Sequence, residues 1–350
     1  MNRSLTILLM AVAALSCSKT EVELEGAQSE ITVSPVASSI TKTAITDGFY
    51  PQTNHIALFA FHAPGVPAAT SGLDYSKFTE TYLYNTEYYY TGEDNSTRIW
   101  AGLKSSYYWP ITGSLVFAGY SLPQPEDGNT ASTPIGTVTY DLSSDKLKIV
   151  DYVQSHETEN TFDLLYFGRT AGSYNNRRNG EPIQLDFKHA LSWIQIQAAG
   201  EDGTQVSGRV WSITDVTLKS VDTKGTMTYL GTSAADNKVT WSDRGTPQDI
   251  SVFSGNKTLS DSYEPIENEE DGLLVIPQGA KKLSVTVAYK TPAGSPITEV
   301  VDIDLGDYTD TDWQAGYRYT YKLSFDPKQI LVSPSVESWP DPSVTSPLPM

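Results

Sequence analysis

Cysteine is nearly absent: Cys17 is the single thiol in 350 residues. No disulfide can staple the fold, so its stability has to come from burial and backbone pairing. Histidine is scarce too, with four residues. His55 and His62 are an odd number of residues apart, which puts them on opposite faces of one strand and argues against a shared metal. His189 falls on the apolar face of its strand and reads as a satisfied core histidine, while His156 falls in a polar loop. There is no G-x-S-x-G, no phosphate loop and no H-E-x-x-H. Catalytic residues, metal and cofactor are therefore all expected to be none, and the chain is not expected to be an enzyme. Basic residues are outnumbered, 24 against 42 acidic, for a net charge of −18. That balance excludes nucleic acid as a partner and suits an exported protein kept in solution by its charge.

Long apolar runs are missing as well. The longest, Leu5 to Leu15, is about eleven residues, well short of the roughly 18–20 that a spanning helix needs. It follows Arg3 and ends in Ala14-Leu15-Ser16-Cys17, the pattern of a bacterial lipoprotein signal in which the thiol is acylated before cleavage. Leucine stands two residues before the cysteine here, where the usual signal has it three before. Residues 1–16 read as the signal peptide, Cys17 as the lipidation site, and the polar, acidic stretch 17–28 as a flexible tether to the outer membrane.

What is plentiful is aromatic and β-branched residues, with 21 Tyr and 7 Trp, which favour pleated, half-buried surfaces. Beyond the tether the hydrophobic period is two. Ile31 and Val33 alternate in a first strand. Ile56 to Phe61, Leu115 to Tyr120 and Phe162 to Phe167 are apolar on both faces and read as central sandwich strands. From Ile183 to Gln197 the apolar parity switches after Trp193, which implies a bulge or a bend between sheets. Cleaner alternation follows at Leu283 to Tyr289, Val301 to Leu305 and Tyr317 to Phe325. No helical period with caps is present, so helices should be short. Loops 121–136 and 171–182 are expected to cap the sandwich ends. The polar, glycine-bearing stretch from Ala199 to Thr204 is the best break, giving an N-terminal domain 29–199 and a C-terminal domain 200–350 with a Pro-rich tail. The reading is an all-β protein of two tandem β-sandwiches.

Two acidic clusters, Glu264/Glu267/Glu269/Glu270/Asp271 and Asp307/Asp310/Asp312, lack the spacing of a calcium loop and read as solvated surface. The aromatic runs Tyr88-Tyr89-Tyr90 and Tyr107-Tyr108-Trp109 fit either a sugar-stacking platform or cross-strand packing, and the packing reading is favoured because Trp109-Pro110 runs into a turn before a core strand.

In order, the landmarks are Ile56-Ala57-Leu58-Phe59-Ala60; Tyr108-Trp109-Pro110 with Leu115 to Tyr120; Asp163-Leu164-Leu165; Phe187 to Leu191; Leu274 to Gln278; Trp313 to Tyr319; and Val336 with Trp339. As a series behind a lipoprotein leader they resemble the fimbrillin family of Bacteroidetes. The resemblance implies two transthyretin-like sandwiches and assembly in place of catalysis. It places the protein at the cell surface in a fimbrium, with other fimbrial subunits, the outer membrane through lipid on Cys17, and a host or bacterial surface ligand as partners.

The family's maturation removes the first strand and lets a neighbour's strand fill the groove, a form of strand addition. Here the removable strand is 30–37, with Ile31, Val33 and Val36 as its apolar residues. The family usually carries an arginine just after this strand; here the position is Lys42, and no arginine lies between Arg3 and Arg98, so the resemblance makes Lys42 the candidate processing site. Ile330 and Val332 alternate as a candidate donor strand, although Pro340, Pro342, Pro347 and Pro349 crowd the residues beyond. On that account a tip or accessory subunit contributing to adhesion is preferred to a stalk subunit. The alternative reading is a glycan-binding surface lipoprotein of a polysaccharide-uptake system.

Overall fold

The structure, a computed structural model, describes residues 29–36, 52–66, 73–94, 97–125, 130–156, 162–169, 174–175, 182–200, 210–233, 239–266, 272–290, 294–295, 297–308, 312–326 and 329–338. The leader, Cys17, the tether, Lys42 and the Pro-rich tail lie outside them, as do Glu267, Glu269, Glu270, Asp271 and Asp310.

The described residues are almost all strand. The first half holds β1 (Val33–Val36), β2 (His55–Ala63), β3 (Glu80–Asp94), β4 (Thr97–Gly102), β5 (Ser114–Leu122), β6 (Thr137–Asp141), β7 (Lys146–Val153), β8 (Leu165–Phe167), β9 (Tyr174–Asn175), β10 (Ile183–Asp186) and β11 (Lys188–His189). Then come β12 (Ser192–Gly200), β13 (Val210–Val221), β14 (Lys224–Leu230), β15 (Val239–Ser242), β16 (Gln248–Thr258), β17 (Glu264–Pro265), β18 (Leu273–Val275), β19 (Lys282–Lys290), β20 (Ile297–Asp304), β21 (Tyr317–Asp326) and β22 (Gln329–Ser338). Two 3-10 turns, Tyr75–Lys77 and Leu305–Tyr308, are the described helical elements.

The largest sheet runs β10-β1-β4-β3-β2-β5-β8-β11, with β9 added beside β5. Its two end strands, β10 and β11, are separated in sequence by Phe187 alone, so the sheet must roll until its ends meet. β3 makes the corner: its first half pairs with β2 and its second with β4, with register shifts near Ala60 and between Tyr90 and Gly92. Asn85 takes the left-handed conformation there (φ 49°), which Asn tolerates, and its Oδ1 accepts from the Tyr120 hydroxyl at 2.7 Å. Inside the roll sit Ile31, Val33, Ile56, Leu58, Leu83, Tyr88, Trp100, Trp109, Leu115, Phe117, Leu165, Ile183, Leu185 and Phe187.

The opposite parity of β2, β5 and β8 faces a second layer, the sheet β15-β14-β7-β6. Phe59, Val116, Tyr120 and Tyr166 meet Tyr140, Leu147, Ile149, Met227 and Tyr229 there. That is why these segments read as apolar on both faces. The second half is a plain sandwich of β17-β12-β21-β22, with β18 beside β12, over β16-β13-β19-β20. Ile194, Ile196, Leu218, Val285, Tyr321 and Phe325 lie between the sheets.

The parity switch along 183–197 is a bend between sheets: β10 and β11 belong to the roll, and β12 to the second sandwich. The polar stretch at 199–204, however, does not separate the sheets. β12 precedes it yet pairs in parallel with β21, and β14 follows it yet pairs with β7. Polarity and glycine mark a connection between strands, and here the connected strands, β12 and β13, belong to the two sheets of one sandwich. Of the expected loop 171–182, Tyr174–Asn175 is a short strand against β5.

The second layer is fastened by one buried carboxylate. Asp145, in the turn between β6 and β7, accepts from the Tyr140 hydroxyl (2.7 Å), the Arg169 backbone N–H (2.9 Å) and the Tyr229 hydroxyl (3.2 Å). Its charge is matched by Arg169 Nε at 3.6 Å, and that guanidinium lies 3.9 Å over the Tyr75 ring. Asp145→Asn puts a donor where three donors converge and leaves the arginine unmatched. It is expected to cost about 2–4 kcal/mol in urea unfolding; an unchanged midpoint would show that this clamp bears no weight.

Candidate functional site

The segment 29–36 is short, yet it is held on both sides. On one side it lies parallel to β10, in the register Val33 to Ile183, Ser34 to Gln184, Pro35 to Leu185 and Val36 to Asp186. The Thr32 carbonyl accepts from the Ile183 N–H and the Val36 carbonyl from the Phe187 N–H, both at 2.9 Å. On the other side Val33 faces Trp100 of β4, the Ile31 N–H donates to Tyr107 O (2.6 Å) and the Trp109 N–H donates to Ser29 O (2.9 Å). Its side chains alternate as the pleat requires. Ile31 and Val33 have no exposed surface, and Pro35 on the same parity is buried too. A first strand at the N-terminus thus sits in the interior of the rolled sheet, in a slot walled by β10, β4 and residues 107–109.

Of the predicted apolar residues, Ile31 and Val33 fill this slot and Val36 is half-buried on the opposite parity. Sequence reasoning missed Pro35 and Ser34, the latter only 3% exposed. The alternation of Ile31 and Val33 carries on to Pro35, which was the available signal. Thr32 Oγ1 is buried with no hydrogen-bond partner.

The candidate donor lies at the far edge of the second sandwich. β22 pairs antiparallel with β21 along its whole length, with Phe325 opposite Ile330 and Leu323 opposite Val332. It is the last strand of its sheet, and its other edge carries no strand among the described residues. Val332 packs partly on the core, while Leu331 and Val336 are about half exposed, at 52% and 47%. The strand ends at Ser338, ahead of the prolines from 340 onward.

The remaining predicted sites separate. Tyr88 and Trp109 are buried in the roll, Tyr107 stacks on Tyr88 with centroids 6.2 Å apart, and Tyr108 is exposed, its carbonyl accepting from the Tyr82 hydroxyl at 2.5 Å. The two aromatic runs therefore divide between core and surface, as cross-strand packing demands. Each of three histidines has its own carboxylate: His55 Nδ1 is 2.7 Å from Glu87, His62 Nδ1 is 2.7 Å from Glu80, and His189 Nδ1 is 2.7 Å from Asp163. In the acidic clusters Glu264 accepts from Ser260 Oγ at 2.8 Å, and no group of three His, Cys, Asp or Glu among the described residues could hold a metal ion.

His156, expected in a polar loop, does follow β7, but both its ring nitrogens are buried without a hydrogen-bond partner. Burial pulls its pKa down to about 4. Below about pH 6.5 the unfolded chain takes up this proton while the folded chain does not, so stability falls as pH drops from 6.5 to about 4, by up to about 3 kcal/mol. His156→Leu is expected to flatten that part of a urea-midpoint profile; an equally steep profile would place the acid sensitivity elsewhere. In the slot, Ile31→Ala is expected to cost about 2–4 kcal/mol and to raise amide exchange along 31–36 first. Exchange that rises evenly over the roll would show that β1 does not open on its own.

The profile of the fimbrillin-like family matches residues 38–339. A search of curated proteins finds no match. Among solved structures, a fimbrial protein from Bacteroides vulgatus is similar at 16% identity over 88% of this chain and 99% of that one, with a TM-score of 0.59. A fimbrial assembly protein from Parabacteroides distasonis is 10% identical over 88% and 99% of the two chains, with a TM-score of 0.38. The tip fimbrial protein Mfa3 from Porphyromonas gingivalis, with a C-terminal truncation, is 10% identical over 89% and 100%, with a TM-score of 0.35. At these identities the likeness concerns the fold alone.

Proposed function

Because the chain belongs to the fimbrillin-like family, we propose that it is a structural subunit of a cell-surface fimbrium, working by assembly and not by catalysis. In this reading residues 1–16 direct export, lipid on Cys17 holds the precursor at the outer membrane, and 17–28 is a tether. A lysine-directed cut at Lys42 then frees the first strand, and a neighbouring subunit's strand enters the slot.

The observation that carries the reading is the placement of β1. Ile31 and Val33 are wholly buried, and the strand is bonded on both sides, yet it lies between the leader and Lys42, where one cut would detach it. The slot it leaves would expose two rows of backbone groups and an apolar floor, which is what strand addition uses. Ile330 and Val332 are the donor candidates. The preference for a tip or accessory role rested on prolines that begin at 340, beyond β22, so they do not bar residues 329–338 from donating. The glycan-binding alternative is left without a platform formed by both aromatic runs, since Tyr88 and Trp109 are core residues.

Limited digestion of the soluble precursor with a lysine-specific protease tests the proposal. The expected result is a cut at Lys42, release of the peptide carrying Ile31 and Val33, and ladders of oligomers on size-exclusion chromatography. Lys42→Gln should abolish all three. A cut protein that stays monomeric with its first strand bound would sink the proposal.

A further inference from the structure

β12 and β21 pair residue for residue, and alternate positions turn away from the core of the second sandwich. Trp193 lies opposite Arg318, Gln195 opposite Thr320 and Gln197 opposite Lys322. The intervening Ile194, Ile196, Tyr319, Tyr321 and Leu323 are core. A polar row on the outer face of a sheet is ordinarily solvated, yet Gln195 and Thr320 are each only 7% exposed. Gln195 Oε1 accepts from the Thr320 hydroxyl and from Gln197 Nε2, both at 3.3 Å. Those two bonds identify the oxygen end of the amide. Its NH2 end carries two N–H donors and bonds to no described residue, and the nitrogen is not sealed from solvent. A recessed amide in this state is satisfied only when water or a ligand accepts from it.

The two cations of β21 stand at either end of the recess. Arg318 is already engaged: its guanidinium bonds to Glu337 and lies 5.0 Å from the Trp193 ring centre. Lys322 has no carboxylate partner among the described residues. Its ammonium, with three donors and no acceptor, lies 5.7 Å from the ring centre of Tyr263, which is 44% exposed. The recess thus presents donors and one open positive charge beside an exposed aromatic ring. The complement of the donors is a carboxylate, and the ring selects what carries it. The C–H face of a sugar rests against a π surface that is itself negative, and Ser333, exposed opposite Lys322, adds a hydroxyl to the same row. An acidic peptide side chain brings the carboxylate but nothing flat to lay on Tyr263. The net charge of −18 does not forbid this contact, because at physiological salt the field of exposed charges fades over about 8 Å.

We propose that this recess binds a uronic acid, a sugar that carries a carboxylate. The carboxylate accepts from the Gln195 NH2 group and from Lys322 Nζ, and the sugar ring lies against Tyr263. The recess shares no residue with the slot of β1, so the inference stands or falls independently of the proposed assembly.

Calorimetric titration of the soluble precursor with trigalacturonate at constant ionic strength tests it, with maltotriose as the neutral sugar and triglutamate as the acidic peptide. The expected result is saturable binding of trigalacturonate alone. Lys322→Gln is expected to weaken it at least about tenfold and Tyr263→Ala about fivefold, and both side chains lie at the surface. Gln195→Met, close in volume and without the donors, is expected to match the Lys322 loss; should it fail to fold, the two surface variants carry the test. Lys219→Gln, on the other sheet of the sandwich, should leave binding unchanged. Equal binding of maltotriose overturns the role of the carboxylate, and equal binding of triglutamate overturns the sugar. Binding that none of the three recess variants weakens overturns the site, and no binding of trigalacturonate overturns the proposal outright.

Discussion

The parallel pairing of β1 with β10 is the contact on which the first half of the molecule depends. A rolled sheet whose ends meet at Phe187 has one gap to fill, between β10 and β4. An unfilled gap there would leave backbone donors and acceptors facing an apolar interior, which is costly in proportion to their number. Ser29 to Val36 satisfies both walls at once and seals the floor with Ile31 and Val33. Trp100, Trp109 and Phe187 are buried in one cluster with Ile31 and Val33. The stability of a large core has thus been concentrated on a strand close to the N-terminus.

The rest of the fold gives the roll contacts that do not involve that strand. β2 and β5 are buried on both faces, so their outer parity packs on the β7–β14 layer independently of β1. Asp145 fixes that layer to Arg169 and, through it, to Tyr75. Gln278 does similar work between the sandwiches: its side-chain carbonyl accepts from the Asp222 N–H, and its amide group donates to the Asp222 and Ile276 carbonyls. Arg244 adds a bond from Nη1 to Asp222 (3.2 Å) and one from Nη2 to the Pro277 carbonyl (2.6 Å). These contacts do not involve the first strand, so the proposed loss of that strand would leave them in place.

Strand content was legible because its signal is local. The doubled alternation of Ile56 to Phe61 and Leu115 to Tyr120 reports two buried faces, and the parity switch after Trp193 reports a change of sheet. The slot was half legible: Ile31 and Val33 announce a buried face, whereas Pro35 argues against a strand until the direction of its missing N–H is known. Asp145 and Gln278 gave no warning, since the partners that give them their roles, Arg169 and Tyr229 for the one and Asp222 for the other, are far along the chain and a lone polar residue has no period. The break near residue 200 misled for the same reason. Pairing of β12 with β21 and of β14 with β7 is non-local, and turn chemistry marks where a strand stops, never which strand it joins.

The covalent link between the first strand and the rest of the chain explains why the proposed assembly would need a cut. An incoming strand that matched the two rows of backbone bonds and the apolar floor would hold the slot about as well as the resident one does. The resident strand then wins while it is covalently attached, because its effective concentration at the slot is on the order of millimolar or above, whatever the surrounding protein concentration. Cleavage would remove that advantage without altering a contact in the slot. The freed peptide would then dilute into the surroundings, so that in the proposed assembly the direction of the exchange is set by connectivity.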